Sequence, residues 1–219
     1  MSKEKELTFL ILSGPTKEYI DPVRYISNES SGKMGLALAE DAIKKGHKVI
    51  FISGEVEKYP TQVKLVKVTT ALEMFNECKY NLQKANIVIS AAAIADYRPA
   101  KFQKHKIKKS ANPMFLELKK NPDIIKYCGQ NKSNQVVAGF ALETQKLIKN
   151  AKLKLQNKSL DVVVANDINS FGSDKTTIYL IKSDSVTEIK NKNKKFIAGK
   201  IIDETIRIFG NIKSVKKNA

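Results

Sequence analysis

The chain has 219 residues, of which 42% are hydrophobic, so it can bury a full-sized core and is not a disordered segment. Its apolar runs fall well short of the roughly 18 to 20 residues that a bilayer span needs, and no signal-peptide pattern precedes the first predicted strand, so we expect a cytoplasmic protein with no membrane span. The net charge of +17 arises mostly within residues 101–219, and only three of the 39 basic residues are arginine, which favours a solvated lysine surface over a specific nucleic-acid site.

The first part of the chain alternates between strand-like and helix-like patterns. In chain order, these patterns predict a strand at 7–13, a helix at 33–45, strands at 49–53 and 63–68, a helix at 71–84 and a strand at 85–93. The apolar run Ile87, Val88 and Ile89 is typical of a central parallel strand, which is buried on both faces.

The alternation continues with a helix from 122, a strand at 135–140, a helix at 144–158 and a strand at 161–165. Two segments depart from it: residues 101–118 predict a hairpin that projects as a flap, and residues 176–190 predict an antiparallel edge hairpin. A helix at 196–209 follows, and we expect a frayed tail at 211–219. The prediction is a single domain, residues 1–219, with a three-layer Rossmann-like α/β sandwich and a mostly parallel sheet.

A long loop after the first strand leads into the first helix through Ser30, Ser31 and Gly32. Ligands of open α/β sheets bind at the carboxyl ends of the strands, and a helix N-terminus attracts anions, so this loop is a candidate anion site. It is not a P-loop, because Met34 follows Lys33 where Ser or Thr is needed, and it carries no GxGxxG fingerprint. We expect Ser30 or Ser31 to cap the helix in either case.

Small and polar residues follow the predicted strand at 85–93. Ala91 and Ala92 would let a ring or a phosphate approach the backbone closely, and Asp96 could accept hydrogen bonds from a sugar or a base. Tight packing by the alanines and a surface ion pair between Asp96 and Arg98 would explain the same residues without a ligand.

Lysines recur near the other strand ends. Lys106 and Lys108 alternate within the flap and would share one face of a strand. In the predicted helix at 144–158, Lys154 and Lys158 border the apolar stripe, where they either extend their stems along the core or hold a polyphosphate. Asn166 ends the next strand. Residue chemistry alone therefore indicates an anionic, phosphorylated ligand.

Two further sequence features bear on alternative functions. Cys78 and Cys128 have no histidine at metal-ligand spacing, so we interpret both as reduced, structural thiols. Tyr80 and Lys84 have the Tyr-x-x-x-Lys spacing of Rossmann oxidoreductases, but the glycine fingerprint of that class is missing. A basic nucleic-acid-binding domain is the alternative of a different class, and steep salt dependence of DNA binding would support it.

Six sequence blocks stand in a specific order along the chain. They are DPVRYISN at 21–28 running into SSGKMG at 30–35, ADYR at 95–98, KIKK at 106–109, NPDI at 121–124, GFALET at 139–144 and VAND at 164–167. Together, over about residues 7–210, they resemble phosphopantothenoylcysteine synthetase, the ligase of coenzyme A biosynthesis.

The resemblance implies a reaction in two steps. The carboxylate of 4′-phosphopantothenate attacks the α-phosphate of CTP to give an acyl cytidylate and pyrophosphate, and the amine of L-cysteine then displaces CMP. It also implies that Asn28 grips the acyl-nucleotide intermediate. Lys106 would be the catalytic lysine, whose ammonium stabilises the charge that moves during acyl transfer.

The resemblance implies two binding sites as well. The phosphopantothenate site would comprise Gly14, Asn28, Ser30, Ser31, Gly32 and Asn166. The nucleotide site would comprise Ser90, Ala91, Ala92, Asp96, Lys106, Pro122, Asp123, Ile124, Ile125, Phe140, Lys154 and Lys158. Phe140 would pack on the base, and Lys154 and Lys158 would bind the triphosphate. Mg²⁺ would enter with the triphosphate, held largely by phosphate oxygens and water, so we expect no metal site built by the protein alone.

Expectations about partners follow from the same resemblance. Many bacterial members are fused to a flavin-dependent decarboxylase, whereas this sequence resembles a free-standing synthetase or an excised domain, so we expect no flavin here and a separate decarboxylase acting on the product. A homodimer is implied, in which the flap or the Asn28 loop completes the neighbouring site. The block at 27–35 with Lys106, Lys154 and Lys158 favours CTP, whereas eukaryotic-type relatives use ATP.

Overall fold

Strands and helices alternate through the computed structural model, which describes residues 5–110, 112–143, 145–167 and 175–217. The strands are β1 (Thr8–Ser13), β2 (Lys17–Tyr19), β3 (Tyr25–Ser27), β4 (Lys48–Ser53), β5 (Lys64–Lys67), β6 (Ile87–Ser90), β7 (Tyr97–Pro99), β8 (Leu118–Lys120), β9 (Val136–Glu143), β10 (Val162–Asp167), β11 (Lys175–Ile181) and β12 (Val186–Asn193). The helices are α1 (Lys33–Lys44), α2 (Ala71–Leu82), α3 (Ile124–Asn131), α4 (Leu147–Asn157) and α5 (Lys194–Lys217).

The central sheet has eight strands in the order β12-β11-β10-β9-β6-β1-β4-β5. The strands from β10 to β5 pair in parallel, whereas β11 and β12 are antiparallel at one edge. The chain passes from β1 to β4 on one side and returns to β6 on the other, so a crevice opens at the carboxyl ends of β1 and β6. The predicted α/β sandwich with an antiparallel edge hairpin is confirmed.

Alternate side chains of β1 belong to two separate cores, because successive residues of a strand point to opposite faces. Phe9 and Ile11 pack with residues of α1 and α5 on one face of the sheet. Leu10 and Leu12 pack on the other face with residues of α2, α3 and α4. This alternation produces the three predicted layers.

The flap predicted as a hairpin at 101–118 is arranged differently, and that prediction is wrong. Within its described part no strand pairs with another; instead β8 pairs with β7 at the base of the flap. The alternation of lysines does not become a strand because the backbone of Ile107 is bound by the side chains of Asp21 and Arg24.

Two further differences lie beside the crevice. The loop after β1, predicted to be irregular, contains the hairpin of β2 and β3. β6 ends at Ser90, three residues earlier than predicted, because the backbone then turns toward the loop after β1. There the N–H of Ala93 donates to the carbonyl of Gly14 at 2.9 Å.

Two helices begin later than predicted, for local reasons. α3 begins at Ile124 because the carboxylate of Asp123 accepts a backbone N–H three residues on, at 3.1 Å, and caps the helix. α4 begins at Leu147, and the preceding Lys146 has a left-handed φ of 49° that separates it from β9.

The last helix is longer than predicted. α5 continues to Lys217, so the expectation of a frayed tail from 211 is wrong for that segment. Phe209 and Ile212 pack against the core shared with α1, which holds this end of the helix in place. None of the helices in the described part of the chain combines the length and the apolar character that crossing a bilayer demands.

Candidate active site

Two cavities open at the carboxyl ends of the parallel strands, on opposite faces of the sheet. Cavity A, of about 180 Å³, lies on the face of α3 and α4, and cavity B, of about 600 Å³, lies where α1 and α5 begin. Ten predicted nucleotide-site residues line cavity A: Ser90, Ala92, Asp96, Pro122, Asp123, Ile124, Ile125, Phe140, Lys154 and Lys158. Ala91, predicted with them, lines cavity B instead, because neighbouring residues beyond β6 point to opposite faces.

Two lysines of α4 give cavity A its positive charge. The ammonium of Lys154 donates to the carbonyl of Phe140 at 2.6 Å, and that of Lys158 pairs with the Asp123 carboxylate at 2.8 Å. Burial, and then the neighbouring charge of Lys158, lower the pKa of Lys154. Two partly buried cations that repel each other would be relieved by an anion, which favours a phosphate ligand over simple packing.

The opposite wall of cavity A is fixed by an amide. Asn121 donates to the carbonyl of Ala95 at 2.8 Å and accepts from the guanidinium of Arg98 at 2.7 Å. Arg98 therefore braces this loop rather than pairing with Asp96, which is exposed at the mouth of the cavity. This role of Asn121 was not predicted, although Asn121 is part of the NPDI block.

Cavity B is built around the start of α1. The predicted serine cap is not formed: the N-cap is Gly32, with a φ of 69° and no side-chain cap. The hydroxyl of Ser30 instead accepts the N–H of Gly32 at 3.3 Å. Since the first N–H groups of a helix have no partner within it, this end of α1 offers donors to an anion. Ser30, Ser31, Gly32 and Asn166 all line the cavity.

A second helix begins on the other side of cavity B. The side chain of Asn193 accepts the N–H of Phe196 at 2.9 Å, and Lys194 and Lys195, in the first turn of α5, line the cavity. These residues were not predicted, because the helix was expected to begin only at 196. Asn193 was the signal that could have placed its start, because asparagine is a preferred N-cap residue.

Two residues join the cavities. Phe140 lines both: its side chain packs with the core on the face of cavity B, and its carbonyl accepts from Lys154 on the side of cavity A. The side chain of Asn28 donates to the carbonyl of Ile94 at 3.0 Å, and Ile94 lines cavity A whereas the adjacent Glu29 lines cavity B. Asn28 is therefore placed at the boundary where a ligand of one cavity would meet a ligand of the other.

Comparison with known proteins identifies the family. A family model described as the DNA/pantothenate metabolism flavoprotein (DFP) C-terminal domain matches residues 4–208. The chain belongs to the DFP C-terminal domain family. The coenzyme A biosynthesis bifunctional protein CoaBC of Borreliella burgdorferi is 43% identical over 202 residues, which are 90% of this chain and 52% of that protein. CoaBC of Escherichia coli K12 is 39% identical over 211 residues, 92% of this chain and 52% of that protein.

Solved structures agree with this assignment. A crystal structure of the C-terminal domain of CoaBC superposes with a TM-score of 0.84 at 34% identity, covering 96% of this chain and all of that one. A Cab2 mutant in complex with phosphopantothenate-cysteine has the same TM-score at 18% identity, which shows a shared fold. The chain spans about half the length of the curated CoaBC proteins it matches. The resemblance found in the sequence blocks is confirmed.

Three predicted site residues of this DFP domain line neither cavity: Asn28, which lies at their boundary, Lys106 and Gly14. Lys106 lines a separate groove, groove C, of about 720 Å³, formed by the flap and the turn after β2. Gly14 has a φ of 71°, and an added Cβ would come within 2.9 Å of Val56 and 3.0 Å of Ser53. Gly14 thus shapes the turn after β1, and the structure does not bring Lys106 to the lysines of cavity A.

Proposed function

We propose that this chain is a phosphopantothenate–cysteine ligase that joins 4′-phosphopantothenate to L-cysteine through an acyl cytidylate, converting CTP to CMP and pyrophosphate. The observation that carries the proposal is the pair of cavities joined at Phe140 and Asn28. One cavity has a cationic wall suited to a triphosphate, and the other begins at two helix N-termini suited to a phosphate. Membership in the DFP family supports a role in coenzyme A biosynthesis.

In the first step, cavity A holds the nucleotide. Lys154 and Lys158 bind the triphosphate, and Lys158 exchanges the carboxylate of Asp123 for a phosphate oxygen. The same charges stabilise the pyrophosphate as it leaves, because they are already in place before charge develops on it. Mg²⁺ would enter with the nucleotide, held largely by phosphate oxygens and water, and the exposed carboxylate of Asp96 would be available to its water shell.

Cavity B holds phosphopantothenate in an extended pose. Its phosphate lies at the N-terminus of α1 against Ser30, Ser31 and Gly32, with Asn166 on the far wall. Its carboxylate then points to the boundary, where the amide of Asn28 orients it toward the α-phosphate. In the second step the ammonium of Lys106 stabilises the charge that passes between the cysteine amine and the acyl phosphate, and in the homodimer implied by the resemblance the flap would bring it to the site of the neighbouring copy.

The test measures pyrophosphate release from 4′-phosphopantothenate, Mg²⁺ and either CTP or ATP, with and without L-cysteine. We expect release with CTP and formation of the amide only when L-cysteine is present. Lys106→Gln should lower the rate about 100-fold or more, as for other groups that stabilise transition-state charge. Lys104→Gln, in the same flap but outside groove C, is the matched control and should retain the rate.

Two results would change the proposal. Turnover with ATP alone would retain the ligase and overturn the choice of nucleotide. Absence of pyrophosphate with both nucleotides, from folded protein, would contradict the ligase.

A further inference from the structure

The first sequence block contains two residues to which the proposed reaction assigns no task. Asp21 and Arg24 lie in the turn between β2 and β3, and neither lines cavity A or cavity B. The side chain of Asp21 has no exposed surface, although a carboxylate is costly to bury unless its oxygens are fully hydrogen-bonded.

One oxygen of Asp21 serves the local turn. Its Oδ1 accepts the backbone N–H groups of Val23 and Arg24, each at 2.9 Å. This arrangement is an Asx turn, which many loops use, and it would by itself explain an aspartate at this position.

The other oxygen reaches across the molecule. Oδ2 of Asp21 accepts the N–H of Ile107 at 3.1 Å and pairs with the guanidinium of Arg24 at 2.7 Å. The same guanidinium donates to the carbonyl of Ile107 at 2.7 Å. The N–H and the carbonyl of Ile107 are thus bound by the side chains of Asp21 and Arg24, which also form an ion pair with each other.

Ile107 is the last attached residue of the outgoing arm of the flap, and the returning arm is attached again at Glu117, whose carbonyl accepts the N–H of Ala100 at 2.9 Å. Nearer its base, the N–H of Gln103 donates to the carbonyl of Ile20 at 2.9 Å. Among the described residues 108–110 and 112–116, none hydrogen-bonds to the rest of the protein. The attachment is next to Lys106 in sequence, so it sets where the backbone of Lys106 can be.

The carboxylate of Asp21 stays ionised at neutral and mildly acidic pH. Burial raises the pKa of Asp21, but the N–H donors of Val23, Ile107 and Arg24 and the Arg24 charge together lower it to about 2. The ionised carboxylate of Asp21 therefore contributes fully to the stability of the folded protein above its ordinary pKa of 3.8. This contribution is lost only as the pH falls toward 2.

We propose that Asp21 and Arg24 form a clamp on the backbone of Ile107 that positions Lys106 for the ligase reaction. They are positioning residues, since they act through Lys106 rather than on substrate. The inference rests on the proposed function, because it takes Lys106 as the catalytic lysine. Misplacement of a catalytic group by about 1 Å can cost on the order of 100-fold in rate, so the clamp matters for turnover more than for binding.

The decisive variant is Asp21→Asn. Its amide oxygen can still accept from Val23 and Arg24, so the Asx turn remains, whereas an NH₂ group in place of Oδ2 cannot accept the N–H of Ile107. Asp161→Asn is the matched control, because Asp161 also accepts a backbone N–H, that of Val137 at 2.7 Å, and pairs with Lys132. Asp161 precedes β10 and so lies at the opposite end of the sheet from the cavities.

Hydrogen exchange tests the contact without any enzyme assay. A peptide that contains Ile107 should exchange about tenfold faster in Asp21→Asn, because that N–H loses its acceptor, and at the wild-type rate in Asp161→Asn. Core peptides from β1 should be unchanged in both variants. Equal exchange of the Ile107 peptide in wild type and Asp21→Asn would overturn the clamp.

Kinetics test whether the clamp acts through Lys106. We expect Asp21→Asn to lower kcat about 10- to 100-fold with KM for the nucleotide within about threefold, and Asp161→Asn to change neither. The double variant Asp21→Asn with Lys106→Gln should be no slower than Lys106→Gln alone, because a clamp has nothing to position once the ammonium is gone. Rate losses that multiply would overturn the inference.

Two outcomes separate this inference from the proposed function. If the wild-type protein makes no product with either nucleotide, the ligase fails while the exchange at Ile107 still decides the clamp. If Asp21→Asn does not fold, Arg24→Lys replaces it: it retains the charge beside Asp21 but cannot bridge to the carbonyl of Ile107. Faster exchange of the Ile107 peptide than in wild type, with kcat between those of wild type and Lys106→Gln, would support the clamp, and wild-type values for both would overturn it.

Discussion

The protonation of Lys154 depends on what occupies cavity A. Burial and the charge of Lys158 lower the pKa of its ammonium in the free protein, and this ammonium donates to the carbonyl of Phe140. A triphosphate would favour the charged form. Binding and protonation are therefore linked at this side chain.

The first prediction concerns this linkage. Because the pKa of Lys154 is lowered in the free protein, nucleotide binding should take up protons at alkaline pH, and affinity should fall as the pH rises through that lowered pKa. Calorimetry in two buffers with different ionisation heats measures the uptake. Lys154→Met should lose the uptake and weaken binding at least about tenfold.

The matched control for this experiment is Lys149→Met, which removes an exposed lysine from the same helix. It should leave both the affinity and the proton uptake unchanged. Identical proton uptake in wild type and Lys154→Met would mean that another group titrates, and would contradict the role of Lys154.

At the scale of elements, the position of α1 at the end of β1 decides whether cavity B exists. A Cβ on Gly35 would overlap the hydroxyl of Ser13 and lie 2.5 Å from its Cβ. A Cβ on Gly32 would come within 2.5 Å of Val56. The two glycines therefore let the first turn of the helix approach the strand end closely.

The second prediction follows from this contact. Gly35→Ala should push the start of α1 away from β1, lower the free energy of unfolding by about 1 to 3 kcal/mol and weaken phosphopantothenate binding. Gly210→Ala in α5 is the control: nothing lies within 4 Å of its added Cβ, and it should raise stability by up to about 1 kcal/mol. Urea unfolding monitored by circular dichroism measures both, and equal stabilities would contradict the contact.

Local signals predicted most elements, and the exceptions share one cause. The apolar runs of β1, β4 and β6 and the cap of α2 are encoded within a few residues: the hydroxyl of Thr70 accepts the N–H of Glu73 at 3.2 Å, in a reciprocal capping box. The arrangement of the flap depends on Asp21 reaching Ile107, 86 residues away. No window of sequence contains both residues, so periodicity alone predicted a hairpin.

Residues of the site that directly follow a predicted strand could be identified from the sequence. The lysines of α4 and the loop before α1 follow strands directly, and the rule for strand ends found them. Lys194 and Lys195 were missed because the last hairpin was predicted to end at 190 and the last helix to begin at 196, so neither lysine was placed at a strand end. β12 is antiparallel to β11 and therefore runs in the same direction as β10, which brings its carboxyl end to the same edge as those of the parallel strands.

At the scale of the whole molecule, apolar side chains are exposed around the two small sheets and the flap. They are Val23, Tyr25, Tyr97, Phe102, Met114, Phe115 and Leu118. Phe115 is 93% exposed. Because a group of this kind on one side of a protein commonly marks an interface, we propose that a second copy of the chain covers it.

The third prediction tests this homodimer. Sedimentation velocity should show a dimer for the wild type and a larger monomer fraction for Phe115→Ser, since an apolar contact would be lost. Leu72→Ser, which removes an exposed leucine of α2 away from the flap, should remain dimeric. A monomeric wild type at micromolar concentration would contradict the proposal.

The fourth prediction uses the two cysteines as reporters of the whole fold. The sulfurs of Cys78 and Cys128 are 3.2 Å apart and fully buried between α2 and α3. Their hydrogen bond, and then burial, raise the pKa of the Cys78 thiol well above its ordinary value. In native protein both thiols should react with a disulfide reagent at least about 100-fold more slowly than in guanidinium. Rapid reaction of folded protein would contradict this burial.

The two cores of the sheet also determine when the protein can fold. The face of β6 that carries Ile87 and Ile89 is covered by α5, whose Ile197 and Ile201 are about 110 residues later in the chain. A ribosome adds on the order of 5 to 20 residues per second, so this face stays uncovered for about five seconds or longer during synthesis. Until α5 emerges, this apolar face of a central strand has no permanent partner, which makes the nascent chain dependent on whatever shields it in the meantime.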